Sequence, residues 1–180
     1  MENKSYFIVA ILDDKGTEAI RSLQKEIGIE LDNLNTIPHL TLANYEKEID
    51  VTNLLEWVNE FSQKQKPIDL CLYMIAVAHT NGLVAIPLIS NELYKLHYDI
   101  HQKYDEYCID YSKLASGWLP HVTISYNSEK IINEKMSVVT GAFSHINTRL
   151  ISLWVSCLDN GVLTVLGKFA LHEIHENGGI

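Results

Sequence analysis

The chain has 180 residues, is 47% hydrophobic and carries four prolines, which fits one compact domain or two small lobes sharing a cleft. Its formal charge of -9 is spread over short clusters such as "DD" and "EKEID", so no acidic tail stands apart. That balance excludes broad electrostatic capture of nucleic acid, but a few local donors can still hold a nucleotide or an RNA end by one phosphate. Cys71, Cys108 and Cys157 are far apart, without Cys-x-x-Cys spacing, and read as reduced, buried thiols. The apolar run in "MENKSYFIVAIL" is too short for a signal peptide, and no segment approaches the roughly 20 apolar residues of a membrane span, so a cytoplasmic location is expected.

The first strand is "SYFIVAIL", stopped by the turn "DDKG". A helix follows from Thr17 as cap, with Ala19, Ile20, Leu23 and Ile27 on one face and Gly28 to end it. Beyond the loop "IELDNLNT", the segment "IPHLTLANY" alternates as a half-buried strand does. Asp50 caps a second helix that turns Leu54, Leu55, Val58 and Phe61 inward, and "PIDLCLYMIAVA" is the next strand.

The order then begins again. "GLVAIPLI" is a strand, and Ser90 opens a helix through Leu93, Leu96, Ile100 and Tyr104. The strand "LPHVTISYN" comes next, followed by a helix over 129–139 that is capped by Ser128 and broken by Gly141. The strands "TRLISLWVSCL" and "VLTVLGKFALHEI" close the chain. Both halves run strand, helix, Pro-His strand, helix, strand, which suits a duplicated α+β unit with two lobes related by approximate two-fold symmetry.

"IPHLTLANY" and "LPHVTISYN" share apolar, Pro, His, apolar, Thr, apolar. Residues two apart in a strand share a face, so His39 goes with Thr41 and His121 with Thr123, while Leu40, Leu42, Val122 and Ile124 turn into the core. Phosphodiester chemistry without a metal needs a base for the attacking oxygen and an acid for the leaving one. Two histidines supply both near neutral pH, and threonine hydroxyls can donate to the non-bridging oxygens. A single His-x-Thr is more often structural, and duplication can copy a structural motif. Here, however, the polar pair recurs on the face that packing does not require.

The paired motifs "PHLTL" and "PHVTI" resemble those of the 2H phosphoesterase superfamily, in particular its bacterial branch similar to 2'-5' RNA ligases and cyclic phosphodiesterases. The resemblance covers nearly the whole chain. It implies a bilobal α+β fold with two antiparallel sheets flanking a central cleft and helices outside, in one domain over 1–176 with halves at about 1–80 and 81–176 and a tail at 177–180. It also implies metal-independent cleavage of 2',3'-cyclic phosphates or 2'-5' linkages without a cofactor, on an RNA end or a nucleotide. The implied roles fall on His39 and His121 as the catalytic pair and on Thr41 and Thr123 as phosphate ligands. His121 is taken as the base and His39 as the acid.

Further substrate contacts are open at Tyr45, Ser125, Tyr126 and Trp118, and Lys113 is read as a solvated lysine that could approach a phosphate. His97 and His101, an i, i+4 pair, could hold a metal, but they lack the adjacent glutamate of a zinc protease helix and sit with Leu96 and Ile100 on a packed face. His172 and His175 lie near the C-terminus, and His79 and His145 read as loop or strand-end residues. Two competing functions are a non-catalytic RNA-end or nucleotide-binding module of the same fold and a metal hydrolase built on His97 and His101.

Overall fold

The computed structural model describes residues 4–28, 37–46, 49–78, 82–114, 117–126 and 129–172. In chain order the elements are β1 (Lys4–Leu12), α1 (Asp14–Glu26), β2 (His39–Tyr45), α2 (Val51–Ser62), β3 (Ile68–Val77), β4 (Leu83–Pro87), α3 (Asn91–Tyr104), β5 (Val122–Ser125), α4 (Glu129–Ala142), β6 (Ile146–Asp159) and β7 (Val162–Ala170). The expected loop at 29–36, the cap Ser128, and His79 and His175 lie outside the described residues.

The seven strands form one antiparallel sheet in the order β1-β2-β5-β4-β3-β6-β7. β1 pairs with β2 along one edge and with β6 along the other, so the pairings return on themselves around six strands. The two sheets anticipated from the resemblance are joined here into one. The physical reason is β6, which is 14 residues long: Ile146–Leu150 pairs with β3, and the remainder lies between β1 and β7.

Two caps fall where the sequence places them. Asp50 accepts from the Asn53 amide at 3.1 Å, and Ser90 Oγ accepts from the Leu93 amide at 3.1 Å, each satisfying an orphan donor of the first turn. The first helix begins earlier than Thr17. Asp13 is its N-cap, accepting from the Gly16 amide at 2.8 Å, so "DDKG" opens the helix instead of making a free turn. The same carboxylate oxygen accepts the Thr148 hydroxyl at 2.6 Å, which pins the start of α1 to β6. Gly28 adopts φ 76° just past the helix end, as a C-terminal glycine does. Gly141 does not break α4, which runs on to Ala142.

One face of the strands is packed and the other carries the motifs. Leu40, Leu42, Val122 and Ile124 are at most 1% exposed and share a core with Ile20 of α1, Leu54 and Val58 of α2, and Leu93, Leu96 and Ile100 of α3. Cys108 and Cys157 are buried, Cys71 is half-buried, and all three are free thiols. Among the described residues no helix is long and apolar enough to cross a membrane.

The contact between α1 and β6 yields a stability prediction. A Cβ at Gly16 would fall 2.0 Å from Thr148 Oγ1 and 2.6 Å from its Cβ, too close for any side chain. Gly16→Ala is therefore expected to cost about 1–3 kcal/mol, read as a lower midpoint in urea denaturation. In a Thr148→Ala background the penalty should shrink, because the 2.0 Å contact with Oγ1 is removed.

Candidate active site

Leu40 of β2 pairs directly with Val122 of β5. In an antiparallel ladder that register sets His39 opposite Thr123 and Thr41 opposite His121, with all four side chains on the face away from the Leu40–Val122 pair. The imidazoles occupy one diagonal and the hydroxyls the other. Two strands alone generate the constellation, through a local two-fold axis that passes between Leu40 and Val122. The row continues on both sides: His39 pairs with Ile11 and Thr41 with Val9 of β1, and Thr123 pairs with Val84 of β4.

Each histidine is held in the same way. His39 Nδ1 lies 2.8 Å from the Ile37 carbonyl, and His121 Nδ1 lies 2.9 Å from the Leu119 carbonyl. A carbonyl only accepts, so Nδ1 carries hydrogen in both rings, and Nε2 is left to exchange protons. The proline between each histidine and its acceptor biases the preceding residue toward extended backbone. Burial holds the His39 pKa below its ordinary value. The Ile37 hydrogen bond opposes this, and the nearby His121 charge adds to it. The neutral ring, with a free lone pair on Nε2, is thereby favoured at position 39.

Behind the motif face, α3 and the segment after it take up the carbonyls of β2. Trp118 Nε1 donates to the Thr41 carbonyl at 3.2 Å, His101 Nε2 donates to the Leu42 carbonyl at 3.0 Å, and the Ile109 amide and the Ser112 hydroxyl donate to the Asn44 carbonyl. Trp118 in turn stacks on His97 at 4.0 Å between ring centres, and His97 lies 4.3 Å from His101. His101 Nδ1 meets Asp105 Oδ1 at 2.6 Å, and that oxygen also accepts the Leu114 amide at 2.8 Å, so both ring nitrogens of His101 have partners in the fold. The two helix histidines are buried struts of the first motif. Cys108 Sγ, His101 Nδ1 and Asp105 Oδ1 lie within 4.8 Å of one another, the donor types a metal would use. Here, however, the imidazole and carboxylate are closed on each other, and burial pushes the Cys108 thiol up to about 11, in its protonated form.

A cavity of about 300 Å³ opens on the motif face, bounded by His39 and Thr41 and, from β1 and β6, by Phe7, Val9, Ile11 and Trp154. Tyr126 is 58% exposed and lines it. The other open contacts lie elsewhere. Tyr45 is 1% exposed, packed edge-on to Tyr104, and its hydroxyl has no hydrogen-bond partner among the described residues. Ser125 is 4% exposed because a register shift between Leu83 and Val84 sets it opposite Leu83, on the core face, where period two alone would have turned it outward with Thr123. Lys113 pairs with Asp110 at 2.7 Å. His145 and His172 are exposed, and the backbone of His172 bonds Gln65. The apolar lining from β1 and β6 is absent from the motif-based reading. Its sequence signal is the unbroken run "FIVAIL", apolar on both faces where a half-solvated strand would alternate.

The stack on Trp118 carries a pH prediction. Burial first and the neighbouring His101 second lower the His97 pKa to about 4. Unfolded, the ring titrates near 6.5, so its contribution to stability is intact above about pH 6.5 and is lost as pH falls toward 4, up to about 3 kcal/mol. His97→Phe keeps a ring on Trp118 and removes the titration. Urea denaturation at pH 7.5 and 5 should show the variant losing less stability than the parent by at least about 1 kcal/mol.

No protein-family model and no curated protein matches the sequence. Solved structures do match the fold. A protein described as a phosphoesterase superposes with TM-score 0.65 at 15% identity, over 95% of this chain and 99% of its own. LigT of E. coli complexed with 3'-AMP gives TM-score 0.65 at 15% identity over 96% of this chain and 100% of its own. The protein TT0787 of Thermus thermophilus gives 0.65 at 14% over 95% and 100%. The chain has the fold of these phosphoesterase and LigT-like structures over nearly its whole length, so the likeness first carried by two short motifs extends to three dimensions.

Proposed function

We propose that the protein is a metal-independent phosphoesterase, a single bilobal unit of the 2H type, that opens a 2',3'-cyclic phosphate or cuts a 2'-5' linkage of a nucleotide or RNA end. The observation that carries this reading is the matched pair of imidazoles, each tied through Nδ1 to the carbonyl two residues back and set on one face with two threonines. LigT in complex with 3'-AMP, a protein of the same fold, adds support for a nucleotide-type ligand.

In this reading water attacks phosphorus in line with the leaving ribose oxygen. Neutral His39 takes the water proton on Nε2, and His121 gives its Nε2 proton to the leaving oxygen, yielding a phosphomonoester. The two protons are then exchanged with solvent. Thr41 and Thr123 donate to the non-bridging oxygens, where charge builds. This assigns the base and acid opposite to the sequence-based expectation, because burial favours the neutral form at His39. Water gives hydrolysis; a ribose hydroxyl attacking a cyclic phosphate in its place breaks the same ring P–O bond and forms a new phosphodiester linkage, the ligating direction.

Turnover of a 2',3'-cyclic nucleotide should persist in excess EDTA. His39→Ala and His121→Ala should each lower kcat/KM by about a hundredfold or more, and Thr123→Val by about a hundredfold. The acidic limb of the kcat/KM profile should have its midpoint below 6.5, the side to which His39 is displaced. Unchanged activity in either alanine variant contradicts the two-histidine mechanism. Binding of cyclic nucleotides without turnover by the parent chain would instead make it a nucleotide-binding module of the same fold.

A further inference from the structure

The motif face is flanked by apolar side chains on both sides. On β1, β6 and β7 the side chains sharing the face of His39 include Phe7, Val9, Trp154, Leu163 and Val165. On the other side Thr123 adjoins Val84, which pairs onward with Ala76 of β3. Among the described residues lining the cavity there is no lysine or arginine. The cation that register brings beside it is Lys168, paired with Trp154 and sitting 4.0 Å over the indole ring. Leu163 and Val165 are 38% and 39% exposed on the outermost strand, so this surface meets solvent, and polar side chains there would cost the core nothing.

From this lining we propose that the site selects a compact phosphoester, a single nucleotide whose organic part lies in the apolar trough, and discriminates against polymeric RNA. This rests on the phosphoesterase reading above and narrows its substrate. A path for a polyanion requires lysines and arginines spaced along it, since each neutralised phosphate of a single strand releases counterions and contributes a log K against log salt slope of about -0.7. Next to His39 and Thr41 the lining from β1, β6 and β7 is hydrocarbon and indole apart from Ser156, in a chain of net charge -9. Phosphates beyond the scissile one would be desolvated against Val9, Leu163 and Val165, with the single ammonium of Lys168 beside Trp154 to set against several charges, which costs binding free energy. An apolar or planar group gains from the same contact.

The test measures binding of adenosine 2'-monophosphate and of the same residue at the end of a roughly ten-nucleotide RNA, by calorimetry across a salt series, using the parent chain and Trp154→Ala and Val165→Lys variants. Expected results are monomer binding at least threefold tighter than oligomer binding, a salt slope no steeper than about -1.5 for both, and about tenfold weaker monomer binding in Trp154→Ala. Val165→Lys should strengthen oligomer binding severalfold and steepen its slope by about 0.7. Oligomer binding within threefold of the monomer or tighter, an oligomer slope steeper than about -1.5, or a Trp154→Ala variant that binds the monomer as well as the parent would overturn the proposal. Binding of neither ligand, with the fold intact by circular dichroism, would remove the phosphoesterase reading itself and this inference with it.

Discussion

The backbone pairing of Leu40 with Val122 is the constraint on which the site depends. It fixes which side chains of two short segments face each other, and it does so for all four motif residues at once. A slip of β2 by one residue against its neighbours would turn His39 and Thr41 toward the core and Leu40 and Leu42 toward solvent. Leu40, Leu42, Val122 and Ile124, each at most 1% exposed, oppose such a slip, because burying them is worth several kcal/mol in sum. The apolar half of each motif therefore positions the polar half.

Short strands need their free edges satisfied, and here the solution ties structure to chemistry. β5 has only four residues, and the described pairing to β2 is a single pair. The carbonyls of Thr41, Leu42 and Asn44 are taken up by Trp118, His101, Ile109 and Ser112. Trp118 reaches back to the first motif from three residues ahead of His121, and it also covers His97. The same residue type thus does two kinds of work. His39 and His121 keep Nε2 free by spending Nδ1 on a local carbonyl, whereas His101 spends both nitrogens on the fold.

Much of this was legible in the sequence wherever the determinant is local. The two Pro-His-x-Thr strands, the caps Asp50 and Ser90, the terminating Gly28 and the packed faces of the first three helices are set by residues within a turn or two of one another. Determinants that sit across the fold escaped. Asp13 replaces Thr17 as cap because Thr148, in β6, helps hold its carboxylate. The expected pair of sheets is one because a single long strand serves both sides, and length alone does not reveal pairing partners. Ser125 obeyed period two only until a register shift at β4 turned it inward, and Tyr45 and Trp118 look like surface aromatics until their partners in α3 and β2 are known. The apolar trough was the hardest to see, since hydrophobic residues on β1, β6 and β7 read first as core.

The central claim is that two imidazoles with the same tautomer address one phosphate. Imidazole 15N NMR of the protein with adenosine 2'-monophosphate measures this directly, with His39→Gln and His121→Gln variants giving the assignments. The account predicts Nδ1–H in both neutral rings and a single binding isotherm along which the Nε2 signals of His39 and His121 move together. An Nε2–H tautomer at either position, or a ligand that shifts one of the two rings and leaves the other untouched at saturation, would contradict it.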